Sequence, residues 1–316
     1  MIASVRAALG HAGCQVAFLD QYAASDSAVE LAVGASVDGL LRVGHETIDL
    51  ASVKSLYLRP HDSRKLPIVA SAGQTSELWR HALDVEDTLL SWAELTPALV
   101  LNRPSEMAVN NSKPYQSSLI ESFGFLIPDT LITTDPDVAL EFWRQHERVI
   151  YKSISGFRSI VSCLKPEHRQ RFNDIASCPT QFQQYVPGTE YRVHVVEEEV
   201  FACAVISDAD DYRVANACVD LQPCDLPDDL ADRCKILAKS MNLLLAGLDL
   251  RCTPDGDWYC FEVNPSPAFT FFQEVTGQPI TEAVAQLLAT GAHDPSNPSS
   301  LSLEVMTPSS GSMAVR

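Results

Sequence analysis

The stretch Leu248–Asn264, LDLRCTPDGDWYCFEVN, reads as two strands joined by a tight turn. Apolar and polar residues alternate on both sides of Pro-Asp-Gly-Asp, a sequence typical of hairpin turns. If the loop is Asp255-Gly256, or the four residues 254–257, Asp249 lies directly opposite Glu262 in the neighbouring strand. The two Cβ atoms would then be about 5 Å apart on one face of the sheet.

This face of the hairpin carries the side chains that suggest a metal site. Strand alternation places Asn264 on the same face as Glu262, together with Cys260. Two carboxylates placed opposite each other repel unless something compensates their charge. Two carboxylates and an amide oxygen are hard ligands of the kind that Mg²⁺ prefers. The alternative is a solvated hairpin face that carries two acids by chance.

The composition is that of a globular chain of two or three sub-domains: 316 residues, 46% hydrophobic and 20% charged. The net charge of −18 argues against a nucleic-acid partner, because a phosphate backbone would be repelled. No apolar run approaches the roughly 20 residues that span a bilayer, and no signal peptide is evident, so we expect a cytoplasmic protein without a membrane segment. Nine scattered cysteines without a CxxC pair favour reduced thiols over a zinc site.

Along the chain, residues 1–100 alternate short strands with helices, which predicts a small α/β layer. The chain opens with a helix-like segment, IASVRAALGHAG, where an α/β domain normally opens with a strand. Beyond Gly291 the sequence is rich in Pro, Ser and Gly, which predicts a disordered tail over 293–316.

Two lysines are candidates for binding phosphate. Lys152 shares an apolar strand face with Ile150 and Ile154, a costly position unless an anion meets the charge. The loop that follows contains Gly156 and offers backbone N–H groups to a phosphate. Lys113 begins a helix, where anions are favoured. Taken alone, each signal more often marks an ordinary edge-strand or surface lysine.

The segment FQQYVPG ends a strand with Gln184, Tyr185 and Val186. Such an exit could present a backbone N–H and C=O to the edge of a purine while apolar groups sandwich the ring. The alternative is an ordinary strand-to-turn exit.

Two arginines follow the segment that could bind a purine. Arg192 and Arg213 could clamp a transferring phosphoryl group or a carboxylate, although single arginines more often form surface ion pairs. Arg192 shares a strand face with Glu190 and His194, and we expect His194 to be an exposed strand histidine.

The order of these candidates along the chain is two lysines, a hinge, two arginines and the acidic hairpin. This series resembles the motifs of the ATP-grasp superfamily, and within it those of the RimK-like branch. The resemblance covers about Leu101 to Leu288, and its most specific parts are NSKPYQSSLIESFGFLIPDT and AGLDLR…WYCFEVNPSP. It implies an ATP-grasp fold, in which two α+β lobes sandwich ATP behind a small α/β pre-ATP-grasp domain. The first domain would span 1–100, and the ATP-grasp domain 101–292 with a hinge near 184–188.

The resemblance also implies roles for individual residues. Lys113, Lys152 and the Gly156 loop would contact ATP phosphates, and Arg192 and Arg213 would steady the γ-phosphate and an acyl-phosphate. Gln184, Tyr185 and Val186 would form the adenine hinge, and Glu190 would contact the ribose. Asp249, Glu262 and Asn264 would be the ligands of two Mg²⁺ ions (or Mn²⁺). Two departures concern the loop after Lys152, which has a single glycine, and Gln184, where many members carry Glu.

The implied activity is that of an ADP-forming carboxylate–amine ligase that works through an acyl-phosphate. Its substrates would be small-molecule or peptide carboxylates and amines or other nucleophiles, and a homodimer is left open. One alternative is a ligase that forms amides or esters within a ribosomal precursor peptide, since SLYLRP resembles a run in peptide-modifying members. Another is a non-catalytic nucleotide-binding regulator, which the presence of all three metal ligands disfavours.

Overall fold

The computed structural model describes residues 1–34, 36–153, 162–207, 219–292 and 301–306. The described part is a mixed α/β protein in which four sheets are flanked by helices. Among the described helices, none combines the length and the apolar character that a membrane crossing requires.

The N-terminal layer is a parallel sheet with a small antiparallel meander beside it. The parallel sheet has the strand order β1 (Gln15–Asp20), β16 (Leu301–Met306), β5 (Val53–Leu58) and β6 (Leu99–Leu101), and the meander consists of β2 (Ser27–Val33), β3 (Val37–Val43) and β4 (Glu46–Asp49). The accompanying helices are α1 (Ile2–His11), α2 (Pro67–Ala72) and α3 (Glu77–Leu95). Ser76 caps α3 by accepting a hydrogen bond from the Trp79 N–H at 3.1 Å. The buried residues of α3, Ala82, Val85, Leu89, Trp92 and Ala93, recur at helical spacing on the face toward the sheet.

The strand β16 lies between β1 and β5 and pairs with both in parallel. The prediction that the whole tail over 293–316 is disordered is therefore wrong for residues 301–306. The sequence LSLEVM alternates apolar and polar residues with the period of a strand, and its Pro- and Ser-rich neighbours obscured this short run. The rest of the tail lies outside the described residues.

The middle lobe has the strand order β7 (Thr130–Thr133), β10 (Thr180–Gln184), β8 (Val149–Ser153) and β9 (Ser162–Cys163), all antiparallel. The helix α6 (Pro136–Gln145) and a 3₁₀ segment, Pro166–Ser177, cover one face of this sheet. The core on that face is formed by Ala139, Val149, Phe172 and Phe182. Because strand side chains alternate, Lys152 and its cross-strand partner Gln181 lie on the opposite face.

The C-terminal lobe has an antiparallel sheet with the order β13 (Val219–Cys224), β12 (Glu199–Ser207), β11 (Thr189–Val196), β14 (Leu245–Cys252) and β15 (Trp258–Asn264). Its helices are α5 (Lys113–Ser122), α7 (Asp228–Ser240), α8 (Thr270–Thr276) and α9 (Ile280–Ala292). The short helix α4 (Pro104–Met107) instead packs against α3 and the core of the N-terminal layer. Side chains of α5 and α7 pack with Leu248, Leu250 and Val263 in one core cluster.

A second core cluster joins the two ends of the chain. Ile2, Val5 and Leu9 of α1 pack with Val284 and Leu288 of α9, and residues of β5, β6, β11 and β14 belong to the same cluster. The N-terminal layer and the C-terminal lobe therefore share a hydrophobic core.

Eight of the nine cysteines lie among the described residues, and none of these eight is in a disulfide. Three are buried, Cys203, Cys234 and Cys260. Burial raises the pKa of Cys203 to about 11 and that of Cys234 to about 12, so both thiols are protonated at neutral pH. The buried cysteines thus act as small apolar side chains.

Candidate functional site

The hairpin of β14 and β15 contains the predicted pair of acids, although the pairs nearer the loop are shifted by one residue from the predicted register. Asp249 lies opposite Glu262, and Gly247 lies opposite Asn264. The loop covers residues 253–257, where Gly256 has a φ of 91°. The Gly256 N–H donates to the Thr253 carbonyl at 3.0 Å, which closes the turn. The two carboxylates and the Asn264 amide are thereby brought to one end of the hairpin.

A β-bulge separates this end from the loop end of the hairpin. The register shifts after Asp249, so that Leu250 pairs with Cys260 and Phe261 is the extra residue. The expectation that Cys260 shares a face with Glu262 is wrong for this reason. Cys260 is 1% exposed and packs in the core with Leu250 and Val263.

Asp249 forms a buried ion pair with Arg192. The two residues are cross-strand partners in β11 and β14, and Arg192 Nη1 lies 2.6 Å from Asp249 Oδ1. The guanidinium also lies over the Phe272 ring, 5.7 Å from its centroid. A Cβ at Gly247 would collide with this guanidinium and with Pro267, so glycine makes room for the arginine.

The two remaining metal candidates differ in their contacts. The Glu262 carboxylate makes neither a hydrogen bond nor an ion pair with any described residue, although the side chain is half-buried. Asn264 Oδ1 accepts a hydrogen bond from the Ser266 N–H at 2.9 Å. A half-buried carboxylate without a partner, beside a second carboxylate and an amide oxygen, fits a hard divalent cation. No group of three His, Cys, Asp or Glu side chains within the described ranges could hold a metal, and this set has only two acids.

Lys113 is the first residue of α5, and Gln116 fixes that helix to the metal strand. Gln116 is 2% exposed; its Nε2 donates to the Val263 carbonyl at 2.8 Å and its Oε1 accepts from the Val263 N–H at 3.0 Å. Val263 lies between Glu262 and Asn264, so Gln116 brings the start of α5 to this strand. Sequence reasoning missed Gln116, although its spacing of three from Lys113 places both on one helix face.

Lys152 lies beside a glutamine of the next strand rather than alone on an apolar face. Its Nζ donates to Gln183 Oε1 at 3.3 Å, and Gln183 Nε2 donates to Thr130 Oγ1 at 3.0 Å. Gln181 is also buried on this face, and its Oε1 has no hydrogen-bond partner among the described residues. Gln181 and Gln183 are two further polar residues that sequence reasoning did not single out.

The segment predicted as the adenine hinge connects β10 to β11. The side chain of Gln184 accepts from the Asp129 N–H at 3.3 Å, so Gln183, not Gln184, lies beside Lys152. The Tyr185 N–H donates to the Arg148 carbonyl at 3.0 Å, and the Arg148 guanidinium lies 3.6 Å from the centre of the Tyr185 ring.

Val186 is 2% exposed, and its backbone carbonyl and N–H differ in their hydrogen bonding. Its carbonyl accepts from Arg251 Nη1 at 2.8 Å. Its N–H makes no hydrogen bond among the described residues. A buried N–H without an acceptor is uncommon, and it marks a place where a ligand could supply one.

Glu190 and His194 lie along β11 with Arg192. Glu190, which the family resemblance makes a ribose contact, forms an ion pair with Arg251 at 3.1 Å. His194 is 1% exposed, so the expectation of an exposed histidine is wrong. The rings of Phe269 and Phe272 cover it. Burial, with a smaller effect of the Arg192 guanidinium, holds the pKa of His194 well below its usual value, so the ring is neutral.

Two predicted site residues, Gly156 and Arg213, lie outside the described residues. The others gather in two groups. Asp249, Glu262, Asn264, Arg192, Glu190 and Lys113 lie on or beside the C-terminal sheet, and Lys152, Gln184, Tyr185 and Val186 lie on the middle sheet and the connection out of it.

No family model and no curated protein matches the chain. Solved structures match most of its length. The macrocyclase MdnC from Microcystis aeruginosa MRC, bound with the precursor peptide MdnA, is 24% identical with a TM-score of 0.77 over 91% of this chain and 95% of that one. The RiPP-associated ATP-grasp ligase of Chryseobacterium gregarium, in complex with ADP and a leader and core peptide, is 20% identical with a TM-score of 0.77 over 94% and 95%.

A third similar structure is the ATP-grasp ligase PsnB, complexed with minimal precursor, Mg and ADP. It is 25% identical, with a TM-score of 0.75 over 92% of this chain and 93% of that one. The fold similarity covers both the N-terminal layer and the two lobes that carry the candidate site. The chain has the fold of the ATP-grasp superfamily, as the resemblance of its sequence predicts.

Proposed function

We propose that the protein is an ATP-dependent ligase that activates a carboxylate of a peptide as an acyl-phosphate. An amine or hydroxyl group then displaces phosphate, so that an amide or ester forms and ADP and phosphate are released. The observation that carries the proposal is the cross-strand pair of Asp249 and Glu262 on an ATP-grasp fold. Structures similar to this chain hold ADP, Mg and precursor peptides, which supports the same ligands here.

The metal ligands would be Asp249, Glu262 and Asn264, with Glu262 shared by two Mg²⁺ ions; Mn²⁺ is an alternative. Bound there, the ions would neutralise the β- and γ-phosphate oxygens of ATP. Glu262 has no competing partner among the described residues. Arg192 would orient Asp249 through their ion pair and add positive charge beside the phosphates. Arg213 keeps the role that the family resemblance implies, support of the γ-phosphate.

The base and phosphates of ATP would lie against the middle sheet. We assign the buried N–H of Val186 to a ring nitrogen of adenine, and the Lys152 ammonium to a phosphate. Gln183, which lies beside Lys152, would contact the adenine edge in place of the Gln184 side chain. Glu190 would contact the ribose while it stays paired with Arg251.

The chemistry needs no nucleophile from the protein. The substrate carboxylate attacks the γ-phosphorus, the bond to the β-phosphate oxygen breaks, and ADP leaves. The incoming amine or hydroxyl attacks the acyl carbon, loses its proton, and expels phosphate. Positioning and neutralisation of charge account for most of the rate enhancement in such transfers. The site residues of this chain are suited to both.

The test is turnover with synthetic peptides that contain Asp or Glu together with Lys, Ser or Thr. Mass spectrometry should show loss of one water per bond formed, with ADP and phosphate as co-products. Hydroxylamine should trap the intermediate as a hydroxamate, and ¹⁸O from the carboxylate should appear in phosphate. Glu262→Gln should abolish all of these products and retain the fold.

Three other outcomes would overturn the proposed mechanism or the proposed function. Recovery of AMP and pyrophosphate would indicate an acyl-adenylate and overturn the acyl-phosphate mechanism. ADP formation only with free amino acids or other small acids would favour a small-molecule carboxylate–amine ligase. ATP binding without product from any of these carboxylates would indicate a nucleotide-binding regulator.

A further inference from the structure

The main chain that follows the metal strand is held by side chains of the N-terminal layer. Three consecutive carbonyls are involved, those of residues 265–267, directly after Asn264. Asn102 Nδ2 donates to the Pro265 carbonyl at 2.6 Å. Arg59 donates to the next two, from Nη2 to Ser266 at 3.3 Å and from Nη1 to Pro267 at 3.0 Å.

These two side chains stand at one edge of the N-terminal sheet. Arg59 follows the end of β5 and Asn102 follows the end of β6, and the two strands are parallel neighbours through the pair Tyr57 and Leu101. Arg59 is half-buried and also approaches the Tyr57 hydroxyl at 3.5 Å. The carboxyl ends of both strands therefore present donors to the same short segment.

Asn102 connects this segment to the other strand of the metal hairpin. It is 2% exposed, and its Oδ1 accepts from the N–H groups of Leu244 and Leu245 at 3.0 and 3.3 Å, where β14 begins. Its Nδ2 also donates to the Leu245 carbonyl at 2.7 Å. One buried amide thus fixes the start of β14 and the end of β15 relative to each other.

The segment in turn orients a candidate metal ligand. The Ser266 N–H donates to Asn264 Oδ1, and the Ser266 carbonyl is the one that Arg59 Nη2 binds. The peptide units of residues 265–267 lie between β15 and α8, so no helix or strand ladder holds them. Loss of the Arg59 guanidinium would leave the carbonyls of Ser266 and Pro267 without their charged donor.

We propose that Arg59 is a positioning residue of the metal site, through which the N-terminal layer sets the affinity of the ATP-grasp lobe for its divalent cations. The proposal rests on the proposed function, because it takes Asp249, Glu262 and Asn264 as the metal ligands. Arg59 acts on Asn264 through Ser266. Residues that orient metal ligands in this way typically contribute about 10- to 100-fold to metal affinity.

The experiment measures Mn²⁺ binding to the full chain by electron paramagnetic resonance of free Mn²⁺, with a non-hydrolysable ATP analogue present. Arg59→Gln should weaken Mn²⁺ binding by about tenfold or more. Arg59→Lys should recover part of the loss, because lysine keeps the charge but cannot bind both carbonyls with a planar fork. Affinity for the analogue without metal should stay unchanged in both variants.

The matched control is Arg103→Gln. Arg103 also binds main-chain carbonyls through its guanidinium, but its acceptors are Ala93, Glu94, Thr96 and Ala98 within the N-terminal layer. This variant should lose thermal stability and keep the affinity for Mn²⁺. Equal Mn²⁺ loss in the two Gln variants would mean a general effect of destabilisation and would overturn the proposal.

Glu262→Gln separates the two proposals from each other. If wild-type Mn²⁺ binding persists in Glu262→Gln, the metal site itself is wrong and both proposals fail. If Mn²⁺ binding requires Glu262 but is unchanged in Arg59→Gln, only the role of Arg59 is overturned.

Discussion

The guanidinium of Arg192 lies 2.6 Å from the Asp249 carboxylate across the ladder of β11 and β14, and only 8% and 16% of the two side chains are exposed. Removing one partner of such a pair leaves a buried charge without compensation. The ion pair between Arg192 and Asp249 should therefore affect the free energy of unfolding measurably.

Arg192→Gln should lower the free energy of unfolding by about 3–5 kcal/mol, because the mostly buried Asp249 carboxylate loses the partner that lies 2.6 Å away. Urea denaturation measures the change. The double variant Arg192→Gln with Asp249→Asn should lose less than the sum of the two single variants. Additive losses in this cycle would show that the ion pair is not coupled and would contradict the prediction.

Gly247→Ala should destabilise the protein by about 1–3 kcal/mol, because a methyl group there would press against the Arg192 guanidinium and Pro267. Gly10→Ala is the matched control: Gly10 lies in α1, and a Cβ there would meet nothing within 4 Å. That variant should be stabilised by about 0.5–1 kcal/mol through helix propensity. Thermal melts of both variants provide the comparison, and a neutral Gly247→Ala would refute the close approach.

The third prediction concerns pH. The pKa of His194 is held well below its usual value, mainly by burial, so the folded protein keeps this ring neutral. Below pH of about 6.5 the unfolded chain binds a proton here that the folded chain does not. Stability from His194 is therefore complete above that pH and is lost as pH falls, by about 1.4 kcal/mol at a pH near 5.5.

Urea denaturation of the wild type and of His194→Gln, above pH of about 6.5 and at a pH near 5.5, isolates the contribution of His194 to the free energy of unfolding. The wild type should lose more stability on acidification than the variant by about that amount. His61, whose pKa is also lowered by burial and by Arg59, is present in both proteins, so its contribution cancels. Parallel pH profiles for the two proteins would contradict a buried neutral His194.

The parts of the site that are local in sequence could be predicted. The hairpin itself follows from local turn and alternation signals. The pair of Asp249 with Glu262 does not follow from the turn alone, because the register at the loop would pair Asp249 with Phe261 and only the bulge brings Glu262 opposite Asp249. The bulge at Phe261 could not be predicted from alternation, since it depends on packing of both strand faces. Its consequence was the wrong assignment of Cys260 to the metal face.

The residues that support the site could not be found from local patterns. The hydrogen-bond partner of Gln116 lies 147 positions away along the chain. Those of Asn102 lie up to 163 positions away, and those of Arg59 up to 208. Nothing near an amide or an arginine reveals such a partner. Likewise, His194 looked exposed because the aromatic rings that bury it, Phe269 and Phe272, come from a segment more than 70 residues later.

The contact between α1 and α9 has a consequence for the order in which the chain acquires its structure. Ile2, Val5 and Leu9 bury their side chains against residues of α9, Ile280–Ala292, at the far end of the sequence. During synthesis the apolar face of α1 has no such partner until α9 has left the ribosome. Contacts this distant in sequence form slowly, and exposed apolar faces in the interval favour aggregation. We expect soluble yield to depend on chaperones that cover α1 until α9 emerges more than on the stability of the finished protein.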